Sequence, residues 1–256
     1  MVLAAVLLIG APRVAPAAGP LTVDGRTIRL VNLGGPDTES LLRRVAANIG
    51  TAVEAVQTFW GADWPREITI VGTGSQQQFA TEAGGSAAQW ADIAAIAVAD
   101  QVDPARRVAV GQRIVFAPGA AGMSESALRI VLSHELFHYA TRAATALDAP
   151  RWLTEGVADF VARPPTAVPA GTPLPTAVPS DAELDTPGPQ RSLAYDRAWW
   201  FARFVADSYG TATLAGFYRT ACGVKHVDLP TAVRDMLGTD MAGLVAHWQQ
   251  WLTRSS

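Results

Sequence analysis

The sequence predicts an α+β protein: a small mixed α/β N-terminal lobe, then a pair of core helices, then an all-helical C-terminal lobe. Three observations carry that prediction. Short runs of alternating apolar and polar residues recur between residues 21 and 117, interspersed with helical periodicity. From Ser124 onward the long apolar patterns repeat at three- and four-residue spacing. A hydrophobic fraction of 49% over 256 residues suffices to bury one sizeable core.

The elements follow in order. Leu21 to Val31 alternates about Asp24-Gly25, a pair suited to the tight turn of a β-hairpin. Asp37 or Thr38 can cap a helix whose Leu41, Leu42, Val45, Ile49, Val53, Val56 and Phe59 share one stripe until Gly61 ends it. Glu67 to Val71 reads as a strand, Ser75 to Ala83 as a short helix, and Arg113 to Ala117 as another strand, while Ala91 to Ala99 is apolar without a decisive period. Ala127, Ile130, Val131, Leu136, Phe137 and Ala140 mark a helix from Ser124 to Thr145, and Leu153 to Ala162 marks the next. Residues 164–189 hold eight prolines and little periodicity, which predicts a long loop, and loops of that length are functional or disordered. Tyr195 to Tyr209, Ala212 to Cys222, Ala232 to Leu237 and Met241 to Thr253 complete the helical part. The division is therefore 18–120, 121–163, 164–190 and 191–256, working as one unit.

Composition narrows the partners. Twenty basic and 23 acidic residues give a net charge of −3 with no long run of either sign, so no nucleic-acid footprint and no polybasic membrane patch is expected. The single cysteine, Cys222, rules out an intrachain disulfide and a multi-cysteine zinc site, and is expected to be a buried, inert thiol. Val2 to Ile9 is an apolar run followed by Ala15-Pro16-Ala17, so residues 1–17 are expected to form a signal peptide and the remainder to be secreted or extracytoplasmic. That run is too short to span a bilayer, which takes about 20 apolar residues, and no stable membrane insertion is expected.

The chemistry is concentrated in two helices. His134-Glu135-Leu136-Phe137-His138 sets two imidazoles four residues apart, about 40° in azimuth and about 6 Å in height from each other, so both can grip one ion. Glu135 stands about 100° around the helix from His134, poorly placed as a ligand but well placed beside a metal-bound water. Catalytic zinc takes three protein ligands and keeps a fourth position open. Glu155, with sixteen residues between it and His138, can bring the third ligand from the second helix, running antiparallel to the first. Asp159, one turn on, can accept the free ring N–H of a ligating histidine. The expected cofactor is one Zn2+ per chain, held by His134, His138 and Glu155.

His134-Glu-Leu-Phe-His138 together with Trp152-Leu-Thr-Glu155-Gly-Val-Ala-Asp159, and Tyr195 opening a helix that ends at Tyr209-Gly210, resembles the peptidase MA-like gluzincins of the thermolysin superfamily. The resemblance runs from Arg113 to Gly210, and the gap between the second histidine and the glutamate is shorter than in thermolysin. It implies an edge strand, Arg113 to Ala117, lying over the two-helix zinc core and binding an extended peptide by strand addition, hence a peptide or protein substrate. The implied activity is a secreted zinc metallopeptidase with Glu135 as general base. Tyr195, His226 and His247 remain open as donors to the oxyanion, with the resemblance favouring Tyr195. Trp199, Trp200, Trp248 and Trp251 are expected simply to pack the helical lobe. The alternative is a catalytically silent gluzincin-like binding module with a structural zinc. Against it, Glu135 is intact and no fourth protein ligand is evident.

Overall fold

Asp24 and Gly25 adopt φ of 45° and 72°, the left-handed turn their pairing favours, and join β1 (Leu21–Val23) to β2 (Arg26–Asn32) antiparallel. The computed structural model describes residues 19–186 and 188–255; the leader expected over 1–17 lies outside them. After β2 the chain enters α1 (Pro36–Trp60), with Pro36 in the first turn where its missing N–H costs nothing. It returns as β3 (Glu67–Gly72), parallel to β2. Ser75 caps α2 (Gln76–Ala83) by accepting from the Gln78 N–H. Next come β4 (Ala95–Val98), a small ribbon of β5 (Gln101–Asp103) and β6 (Val108–Val110), and β7 (Arg113–Phe116).

The main sheet has the order β1-β2-β3-β7-β4. Both faces are covered: Ile68, Ile70, Ile114 and Phe116 join the core shared with α1, whereas Val71 and Val115 pack with Phe79 of α2. Burial on two sides is why Ile70-Val71 of β3 and Ile114-Val115-Phe116 of β7 are apolar in succession. One expectation is corrected here. Arg113 to Ala117 is not the edge: β7 is parallel to β3 on one side and antiparallel to β4 on the other, with Ala97 opposite Ile114. The edge on that side is β4, whose four residues, Ala-Ile-Ala-Val, are too short and too uniformly apolar to distinguish a strand from a buried helix.

Ser124 caps α3 (Glu125–Thr141) through the Ala127 N–H, and α4 (Arg151–Ala162) packs beside it. The helical part comprises α5 (Asp181–Asp185), α6 (Pro189–Tyr209), α7 (Thr211–Cys222), α8 (Leu229–Leu237) and α9 (Met241–Ser255). It shares one continuous core with α1, α3 and α4. Trp199, Trp200, Trp248 and Trp251 are all buried, and Phe201 meets Trp152 and Trp248 edge-on at 5.2 and 5.5 Å. Cys222 is fully buried, which pushes its thiol up.

The Pro-rich stretch is less free than its composition suggests. It contains α5, and α6 begins at Pro189, six residues ahead of Tyr195. Val168 is buried with its N–H on the Ser255 carbonyl, and Gln249 donates to the Pro175 carbonyl at 2.7 Å. Asp181 accepts from the backbone N–H groups of Arg151 and Trp152 at 3.1 and 2.8 Å. The first turn of α4 is therefore capped from a distance, since Pro150 before it has no capping side chain. Among the described residues no helix is long and apolar enough to cross a membrane.

Candidate metal centre

α3 presents His134 and His138 one turn apart, and α4 brings Glu155 against them. His134 Nε2 lies 3.1 Å from His138 Nε2 and 3.1 Å from Glu155 Oε2, and His138 Nε2 lies 3.5 Å from the same oxygen. The three side chains are only 13–17% exposed. On its far side His134 Nδ1 donates to Asp159 Oδ1 at 2.9 Å, which leaves Nε2 turned toward the group. Arg163, at the end of α4, donates to the other Asp159 oxygen at 3.2 Å.

Gly156, next to Glu155, lets α4 pack closely on α6. A Cβ there would stand 2.4 Å from the Ala198 carbonyl oxygen, so α4 and α6 touch backbone to backbone beside Glu155.

Glu135 points elsewhere. Its Oε2 accepts from the Ala97 N–H of the edge strand at 2.7 Å, and Arg142 donates to the Ala97 carbonyl at 2.5 Å. Arg142 follows His138 by one helical turn with helical backbone angles, so α3 holds the edge strand from both sides of one residue. Burial raises the Glu135 carboxyl above its ordinary range, partly offset by the charges of His134 and His138. Burial pushes Glu155 the same way, but the charges and hydrogen bonds of His138 and His134 outweigh it and hold that carboxyl well below. For His134, burial favours the neutral ring, yet bonds to Asp159 and Glu155 dominate and raise it well above 6.5.

Of the three candidate oxyanion donors, Tyr195 is the one drawn toward this group. Its phenol is pushed up by burial and then by the negative charge of Glu155, and its hydroxyl bonds to no described residue. It lies in the second turn of α6 rather than at the helix start. His226 is engaged with Asp148 at 3.2 Å and His247 with the Tyr209 hydroxyl at 3.4 Å.

The donor set suits a small divalent cation. Tetrahedral coordination at about 2.0–2.1 Å separates ligand atoms by about 3.3 Å, close to the observed triangle. Two ring nitrogens 3.1 Å apart can share at most one proton, and with the Glu155 carboxylate beside them they make a donor set that a cation would fit. Two imidazoles and a carboxylate match zinc better than the oxygen-only sites of calcium or magnesium. Ala97, Arg142, Arg163 and Asp181 escaped the sequence reading; only Arg142, four residues beyond His138, carried a signal that could have found it. No protein-family model matches the chain, and no curated protein shows significant similarity to it.

Proposed function

We propose that this protein is a zinc-dependent peptidase, secreted or extracytoplasmic, in which His134, His138 and Glu155 hold the metal and Glu135 is the general base. The observation that carries this reading is the separation of the two carboxylates. Glu155 Oε2 joins the ring nitrogens, while Glu135 is held apart on the edge strand and no described residue adds a fourth donor. A purely structural zinc needs no such second acid and closes its coordination with protein.

Zinc in this group would polarise the scissile carbonyl and acidify a water. The chain's own residues do the rest. Ala97 holds Oε2 of Glu135, leaving Oε1 to take a proton from the attacking water as its oxygen bonds to the carbonyl carbon. Glu135 passes that proton to the leaving nitrogen as the C–N bond breaks, giving a carboxylate and an amine. Tyr195 donates its hydroxyl hydrogen bond to the developing oxyanion. Strand addition at the outer edge of β4, as the resemblance to gluzincins implies, would have to pair beyond Ala97 or displace Glu135 and Arg142 from its N–H and C=O.

Stripping the purified protein with a chelator and restoring zinc tests this directly on a mixed peptide library. Cleavage should vanish and return with stoichiometric zinc. Chelator-resistant cleavage would refute the metal's role, and a zinc-loaded protein that cuts nothing would favour the silent binding module.

A further inference from the structure

We infer that Arg163 is a positioning residue for the metal group, an inference that rests on the zinc reading above. Arg163 follows the last residue of α4 and its side chain folds back over that helix. One arm of its guanidinium donates to Asp159 Oδ2 at 3.2 Å and the other to Asp196 Oδ1 at 3.0 Å. Its plane lies over the Trp199 ring at 3.9 Å. Asp159 thus has both oxygens committed, Oδ1 to His134 and Oδ2 to Arg163, and cannot rotate without losing one of them. The second arm reaches the residue next to Tyr195 on α6. A single fork fixes both the carboxylate that aims His134 and the helix that carries Tyr195. A lysine could not reproduce this, because one ammonium lacks the planar pair of donors.

Removing Arg163 alone would also delete a positive charge, and charge alone would favour a dication. The test therefore uses R163M/D196N, which leaves the net charge unchanged. Outer partners of metal-bound histidines typically contribute about 10–100-fold in metal affinity, and Arg163 acts one bond further out. The zinc dissociation constant, measured by chelator competition, should rise about tenfold. R203M is the control, because Arg203 also lies over Trp199, at 5.2 Å, without touching Asp159. It should lower the melting temperature of the metal-free protein without weakening zinc affinity. Should the double variant not fold, R163K carries the same test, with affinity several-fold weaker. Wild-type affinity in R163M/D196N, or in R163K, would overturn the inference, as would equal weakening in R203M. A wild-type protein that binds no zinc would instead overturn the metal reading itself.

Discussion

Gly156→Ala puts the contact between α4, which carries Glu155, and α6, which carries Tyr195, under direct strain. The added methyl would stand 2.4 Å from the Ala198 oxygen and 2.6 Å from its carbonyl carbon. Ordinary carbon–oxygen contacts need about 3.3–3.6 Å, so α4 and α6 must part by about 1 Å. Overpacking of this kind costs about 1–3 kcal/mol, against which alanine in place of a helical glycine returns about 0.5–1 kcal/mol. The net destabilisation is about 1–2 kcal/mol, a fall in Tm of about 2–8 °C for a chain of this length. The neighbouring Glu155 would move by a similar distance, beyond the roughly 0.5 Å that a ligand set tolerates. Melting the metal-free and zinc-loaded forms separates the two effects: the metal-free Tm should drop, and the increment added by zinc should shrink. An unchanged or raised Tm with the full zinc increment would refute the backbone contact and its role in placing Glu155.

Asp181→Ala removes the two hydrogen bonds that cap α4, and should cost about 1 kcal/mol, seen as a Tm lower by about 2–4 °C; no change would mean that water caps the helix equally well. Asp159→Asn keeps the shape but weakens the bond to His134 Nδ1, and chelator competition should show zinc affinity about 10–100-fold poorer. His134 is held charged in the metal-free protein and must be neutral to bind zinc, so ligation at neutral pH should release a proton, detectable as a buffer-dependent enthalpy. The sign for stability follows: with its folded pKa raised, His134 stabilises the metal-free protein fully below about 6.5 and progressively less as pH climbs through the raised value. Zinc affinity should rise over that same climb, and a pH-independent affinity would contradict the assignment.

Much of this was legible because it is local. The stripe through α1, the Asp24-Gly25 turn and the four-residue spacing of His134 and His138 are each written within a turn or two of chain, although the cap of α1 is Gly35 and not Asp37 or Thr38, which lie inside its first turn. What escaped is non-local. Whether β7 or β4 lies at the edge depends on which strand pairs last, and Ala95 to Val98 carries no alternation to declare it. The stretch from Pro164 reads as a loose loop because its anchors are backbone carbonyls and a cap given to a helix thirty residues earlier, none of which imposes a periodicity. At Gly156 two backbones meet, a contact with the distant Ala198 that no local pattern announces. Glu135 was legible as an acid beside the ligands, but the Ala97 N–H that holds it comes from the strand the sequence left ambiguous.

The most direct test compares wild type with Glu135→Gln, loaded with zinc and offered the same peptides. Glutamine preserves the size of the side chain and can still accept from Ala97, but cannot take a proton from water. One zinc per chain in both proteins, with cleavage in the wild type alone and a loss of about 100-fold or more in the variant, is the predicted result. Equal cleavage by both would remove Glu135 from the chemistry, and the absence of zinc from both would contradict the account at its base.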